Sequence, residues 1–160
     1  MSTDRGQPPF LGVVSDTHGY YDPQLDAIFA GALRIVHAGD VGAGVIPRLS
    51  AIAPLTVVAG NTDLPGTAEA PLAWEEQVVV QGRRIIVCHI GHSLMGRHDP
   101  VAEGFDLVVS GHSHVAKVER RGETLFLNPG SAGRARFGKA RTCARVTLGD
   151  RLDAEVVRLD

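Results

Sequence analysis

Five short apolar runs in this 160-residue chain stop at the same kind of place. "GVV" leads into Ser15-Asp16-Thr17-His18, "RIV" into His37-Ala38-Gly39-Asp40, and "TVVA" into Gly60-Asn61-Thr62-Asp63. "IIVC" leads into His89, and "LVVS" into Gly111-His112-Ser113-His114. Runs this short and continuous, rich in β-branched residues, read as buried strands. Helical spacing lies between the first three. "DPQLDAIFAGA" offers Asp22 as N-cap, Pro23 as first helical residue, and Leu25, Ile28, Phe29 and Leu33 on one face. "GVIPRLSAI" is a weaker helix, because Pro47 fits only a first turn. Alternating strand and helix predicts βαβ units and a parallel sheet. The second half is richer in hairpins, turning at Gln81-Gly82, Arg121-Gly122 and Gly149-Asp150. "TAEAPLA" reads as a loop and "RHDPVAEGF" as a short helix or loop. No linker or repeat divides the chain, so a single domain over 1–160 is expected, with about the first nine residues a flexible tail.

Composition narrows the function. With 44% hydrophobic and 21% charged residues, the chain can build a packed core. A net charge of −2 at pH 7 offers no extended nucleic-acid surface and no footprint for an anionic membrane. A phosphate-bearing substrate remains compatible, because a bound metal supplies positive charge locally. "MSTDRGQPPF" lacks the apolar stretch of a leader, and no run approaches the ~18 apolar residues of a membrane span. Cys88 and Cys143 lie far apart in apolar surroundings and read as buried free thiols. The expectation is a soluble cytoplasmic protein.

In an open α/β sheet, ligands collect beyond the carboxyl ends of the strands. If the five runs share that end, Asp16, His18, Asp40, Asn61, His89, His112 and His114 converge in one crevice. Gly39, Gly60 and Gly111 would permit close backbone approach there. Taken singly, each residue has an ordinary reading: Asp16 and Asp40 as helix N-caps, Asn61 and Asp63 as turn residues, His89 as a packed histidine. Five run ends with one habit are harder to explain that way. Oxygen donors from Asp and Asn combined with imidazole nitrogens select first-row divalent ions (Mn, Fe, Ni, Co or Zn) over Ca and Mg. Seven ligands exceed the needs of one ion with open positions. They suit two ions that share a carboxylate, an arrangement able to clamp an in-line displacement at phosphorus.

In order and type these residues resemble the calcineurin-like metallophosphoesterase superfamily. The shared pieces are Asp-x-His (Asp16, His18), Gly-Asp (Asp40), Gly-Asn-x-Asp (Asn61, Asp63), a run-end His (His89) and Gly-His-x-His (His112, His114). The later "NPGS" (Asn128–Ser131) is similar to the small single-domain bacterial and archaeal phosphodiesterase branch. The resemblance spans Val13 to Ser131. It implies an α/β (α+β) fold, a four-layer αββα sandwich of two mixed β-sheets flanked by helices. It implies two divalent transition-metal ions, Mn2+ foremost. Asp16, His18 and His114 would hold one, Asn61, His89 and His112 the other, with Asp40 bridging and Asp63 supporting from behind. It further implies hydrolysis of a phosphodiester-containing small molecule or nucleotide, by in-line attack of a metal-bridging water or hydroxide. In an extended "GHSH", alternate side chains point the same way, which would send His112 and His114 to different ions.

Two departures matter. Many larger members carry a His where this chain has Thr62, and that His is the leaving-group acid there; His92 is the candidate substitute here. "CHIGH" stands where small members often have "HGH", and His89 is taken as the ligand because the apolar run leads straight into it. His37 reads as a packed histidine and His98 as a loop residue. Arg134, Arg136, Lys139 and Arg141 read as a solvated loop, or as a mobile segment that steers phosphate. A non-catalytic binding scaffold on the same fold, a nuclease and a phosphomonoesterase stand as alternatives, and a homo-oligomer is left open.

Overall fold

The computed structural model of the chain describes residues 7–63, 71–136 and 138–160. Most of the expected tail (1–6) and residues 67–70 of "TAEAPLA" lie outside the described residues. Residues 7–9 are exposed, yet the Pro9 carbonyl accepts a hydrogen bond from Leu148 N at 2.8 Å, so the chain is already tied to the fold there.

The first half forms β1 (Phe10–Val14), α1 (Gln24–Ile28), β2 (Arg34–His37), α2 (Val45–Ser50) and β3 (Leu55–Val57). The second forms β4 (Glu75–Val80), β5 (Arg83–Cys88), α3 (Gly91–Met95), β6 (Leu107–Val109), β7 (Lys117–Arg121), β8 (Thr124–Asn128), β9 (Thr142–Leu148) and β10 (Leu152–Arg158). They make two five-stranded sheets, ordered β10-β9-β1-β2-β3 and β4-β5-β6-β8-β7. Each is mixed. Three neighbouring strands run parallel (β1-β2-β3 and β5-β6-β8), and the remaining pairings are antiparallel.

Continuous apolar runs are explained by burial on both faces. Along β1, Leu11 and Val13 join the core between the sheets, with Val87, Leu107, Leu125 and Val146. Phe10 and Val14 instead join Leu25, Phe29, Val45 and Leu49 beneath α1 and α2. Burying each such side chain stabilises the fold by about 1.5–3 kcal/mol. On the opposite side Leu94 of α3 and Phe105 cover Ile86 and Val108. The result is the expected four-layer αββα sandwich, with a thin fourth layer.

Local expectations differ in places. α1 begins at Gln24, with Pro23 in the cap position. Asp22 still serves the helix start, because its Oδ1 accepts from Gln24 N at 2.9 Å. The helix is short, and Gly31 takes a φ of 84° beyond its end. Leu33 therefore leaves the helical face and is exposed. "RHDPVAEGF" forms turns, not a helix, and α3 appears in "GHSLM", a stretch too short for apolar periodicity to register. The Gln81-Gly82 turn has φ of 48° and 78°, the doubly positive pair that matches hairpin twist. Cys88 and Cys143 are buried free thiols.

Candidate metal centre

The topology brings the ends of β1, β2 and β3 beside those of β5 and β6. Backbone hydrogen bonds stitch the loops together: Asp16 N to Gly39 O at 3.0 Å, His18 N to Asp40 O at 2.9 Å, and Gly111 N to His89 O at 2.9 Å. His112 N donates to Asp16 Oδ2 at 3.1 Å, which links the two sheets directly.

Backbone strain concentrates here. Asp16, His18, Asp40, His112 and His114 have φ of 57°, 46°, 56°, 75° and 64°. Among the described non-glycine residues, only Gln81 of the hairpin turn joins them in the left-handed region. Each such residue costs about 1 kcal/mol or more, a cost borne where function requires the geometry. The extended conformation expected for "GHSH" is therefore corrected. His112 and His114 sit in a left-handed loop, and their divergence comes from that loop. The His114 ring lies 5.5 Å from that of His18, whereas the His112 ring packs edge-on at 5.2 Å from that of His89. Two glycines are required by close approach: a Cβ on Gly60 would fall on Asp40 Oδ1 and the Asp40 backbone, and one on Gly111 would fall on Ser15 Oγ.

Two overlapping clusters result, one of Asp16, His18 and His114 and one of Asp16, Asp40 and His89. Asp16 Oδ1 lies 3.3 Å from His114 Nε2, 3.8 Å from His89 Nε2 and 3.9 Å from His18 Nε2. Asp40 Oδ2 lies between His89 Nε2 at 3.2 Å and His18 Nε2 at 3.6 Å. The other carboxylate oxygens are already engaged. Asp16 Oδ2 accepts from Ser15 Oγ at 2.7 Å, and Asp40 Oδ1 accepts from Thr62 N at 2.9 Å and Thr62 Oγ1 at 2.8 Å. The free oxygens are thus aimed into the cluster.

The histidines present lone pairs to those oxygens. His89 Nδ1 lies 2.8 Å from Ala38 O, which can only accept, so Nδ1 carries the proton. In the neutral ring Nε2 is then a bare lone pair facing two carboxylates. Among the described residues, Asp16 Oδ1, His18 Nε2 and His89 Nε2 are buried without a hydrogen-bond partner. Converging acceptors with no donor require a cation or an added proton between them. The donor set, carboxylate oxygens with imidazole nitrogens braced by a backbone carbonyl, fits divalent metal. Without metal, burial pulls the His89 pKa down, but Asp40 and Asp16 outweigh it and raise it. Burial likewise pushes the Asp40 pKa up, and the neighbouring His89 ring with the hydrogen bonds from Thr62 more than reverses that.

The remaining expected residues fall around this cluster. Asn61 is exposed and shares a cavity wall with His89. Asp63 accepts from Val41 N at 3.0 Å and Gly60 N at 2.8 Å, clamping the loops on either side of Asp40. His92, in α3, lines a groove on the outer face of the second sheet with Met95 and Phe126. His98 bridges Glu75 and Glu103 at 3.0 and 2.9 Å. Asn128 of "NPGS" donates to Gly111 O at 2.9 Å, and Ser131 Oγ donates to Asp16 O at 3.1 Å, so that turn braces both ligand loops. The basic stretch divides. Arg136 and Lys139 lie beside His112 and His114, whereas Arg141 is held in a largely buried ion pair with Asp22 at 2.6 Å. Arg141 is therefore neither solvated nor free to steer phosphate. Ser15 and Ser131 are supports that the run-end pattern did not single out, since a serine beside an aspartate is too common to carry a signal.

His37 is packed, as expected, and its state is legible. Gly39 N donates to Nδ1 at 3.0 Å, so Nε2 carries the proton and donates to Thr17 Oγ1 at 2.9 Å. Thr17 Oγ1 in turn donates to Val41 O at 2.8 Å. Burial pushes the His37 pKa down to about 3. The folded pKa lies below the unfolded one, so unfolding takes up a proton in acid. The stabilisation is complete above about pH 6.5 and declines as pH falls, by about 1.4 kcal/mol per unit from this one group. Urea unfolding of metal-free protein between pH 6 and 4 should show this slope, and His37→Gln should remove it; equal slopes in both proteins would refute the assignment.

Comparison with known proteins identifies the family. The family model of the calcineurin-like phosphoesterase superfamily domain matches residues 10–151. The probable metallophosphoesterase YsnB of Bacillus subtilis is 31% identical, over 91% of this chain and 87% of its own length. The phosphodiesterase YfcE of Escherichia coli is 32% identical over 66% of this chain and 60% of its own. Vps29 of Chaetomium thermophilum, at 15% identity, shares the fold with a TM-score of 0.72, over 94% of this chain and 95% of its own. With the family model covering nearly its whole length, the chain belongs to the calcineurin-like phosphoesterase superfamily.

Proposed function

We propose that the chain is a dinuclear-metal-dependent phosphodiesterase. The observation that carries this reading is the trio of buried, partnerless acceptors, Asp16 Oδ1, His18 Nε2 and His89 Nε2. Asp16, His18 and His114 would hold one ion, and Asn61, His89 and His112 the other, with Asp40 shared between them and Mn2+ the favoured metal. When bound, the ions supply Lewis acidity, activating water and neutralising charge on the phosphoryl oxygens. The chain's own residues do the positioning. Ser15 and His112 N turn Asp16 so that Oδ1 faces inward, and Thr62 does the same for Asp40. Ala38 O sets the His89 tautomer. The Thr62 hydroxyl donates to Asp40, so it is committed to that carboxylate and is no substitute for the leaving-group acid of larger relatives. Diesters with weakly basic leaving groups are therefore the preferred substrates. The likeness to YfcE supports a diester as the substrate.

Chelation should abolish hydrolysis of bis(p-nitrophenyl) phosphate, and Mn2+ should restore it. Metal at about 100 times its Kd should also stabilise the fold by about 2.7 kcal/mol. Full activity after exhaustive metal removal would refute the reading. A second reading is a metal-binding scaffold without turnover, on the fold that this chain shares with Vps29. Metal-induced stabilisation with no hydrolysis of mono- or diesters would select it.

A further inference from the structure

A cavity of about 520 Å³ opens beside the candidate metal centre, lined by Asn61, Trp74, His89, Ile90, Ser93 and Arg97 among others. It shares Asn61 and His89 with the proposed ligands, so a group seated there would be attached close to the reacting phosphorus. Its size falls in the range of about 300–1,000 Å³ usual for small-molecule sites.

Trp74 is the chain's single tryptophan, and it is 62% exposed. The residues on both sides of it are held in place. Ala73 O accepts from Ala59 N at 2.7 Å, beyond the end of β3. Its other neighbour, Glu75, is paired with Cys88 across β4 and β5. The backbone around the indole is thus anchored to both sheets, and the large apolar ring remains in solvent at the rim of the cavity. Ile90, Cys88 and Ala59 add apolar wall. The guanidinium at this site is already neutralised: Arg97 pairs with Glu75 Oε1 at 2.7 Å and donates to Ser93 O at 2.9 Å. Nothing in that arrangement calls for a second phosphate. An exposed, anchored indole over an apolar wall calls for a flat, uncharged ring.

We propose that this cavity is the subsite for a planar aromatic arm of the phosphoester, a nucleobase in its biological form, stacked on Trp74. The proposal rests on the phosphoesterase reading for the substrate's phosphate, but the ring site can be tested apart from turnover. Because Trp74 is the only tryptophan, intrinsic emission reports on this one position.

The full chain, metal-free and zinc-loaded, would be titrated with adenosine 5′-monophosphate and with ribose 5-phosphate, correcting for adenine absorption. Saturable quenching by the nucleotide, with an apparent Kd about tenfold or more below that of the sugar phosphate, is expected. Equal responses to both, or no response to either at millimolar concentration, would overturn the proposal. For thymidine 5′-p-nitrophenyl phosphate, Trp74→Ala should raise KM about tenfold with a smaller change in kcat, and Trp74→Phe should recover most of it. An unchanged KM in Trp74→Ala would also overturn it. Nucleotide-specific quenching in a chain with no turnover would refute the hydrolase and keep the ring site.

Discussion

Asp16→Asn is expected to lower kcat/KM for an activated phosphodiester by on the order of 1,000-fold, while leaving the metal-free fold at least as stable as the wild type. The substitution is nearly isosteric. The amide oxygen can still accept from Ser15 Oγ and His112 N, the two contacts that orient the wild-type side chain. The amide nitrogen then takes the place of Oδ1, the atom shared by both clusters. An NH2 group has no lone pair for a cation, but it can donate to His114 Nε2, whose distance from Oδ1 is 3.3 Å in the wild type. The metal-free protein therefore exchanges an unpartnered buried carboxylate oxygen for a satisfied donor. Metal content and thermal unfolding with and without Mn2+ separate the two effects. A variant that still binds two ions would show that Asp16 is not a metal ligand, and one that unfolds far more easily without metal would show that its carboxylate supports the metal-free fold.

The second large effect lies away from the chemistry. Arg141→Ala should destabilise the protein by about 3 kcal/mol, because it leaves a buried carboxylate without its cation. Asp22 is almost fully buried, and Arg141 Nη2 reaches its Oδ2 at 2.6 Å. The same guanidinium donates through Nε to Gly133 O at 2.6 Å, tying the segment after "NPGS" to the start of α1. Burial pushes the Asp22 pKa up, but the Gln24 amide and Arg141 together hold it below the usual value. Gln24 N remains in the variant, so part of the carboxylate's solvation survives. In urea unfolding, Asp22→Asn with Arg141→Ala should cost clearly less than the two single changes summed, because each then relieves the other's orphan. A loss below about 1 kcal/mol for Arg141→Ala would return this residue to the solvated loop.

The strands were legible because burial on two faces writes itself into a continuous run: all five residues of β1 are buried. Helix boundaries were less so. A five-residue helix such as α1 or α3 spans little more than one turn, too short for a 3.6-residue period to register. The basic stretch shows a second limit. Arg134, Arg136, Lys139 and Arg141 look alike in a row, but Arg141 alone meets a buried acid, 119 residues away.

By itself the sequence determined which chemical groups stand at the strand ends, since apolar run, small residue and ligand-type side chain are all local properties. It also determined, through the order of those groups, the superfamily to which the chain belongs. Tertiary structure decided how the groups face one another. The left-handed backbone at Asp16, Asp40 and His114, the proton on His89 Nδ1 and the sharing of Asp16 Oδ1 between two clusters all depend on contacts between distant segments. His112 N meets Asp16 Oδ2 across 96 residues, and His89 meets Ala38 O across 51. A lone pair's direction is set by such a partner, and the partner becomes a neighbour only when the two sheets pack.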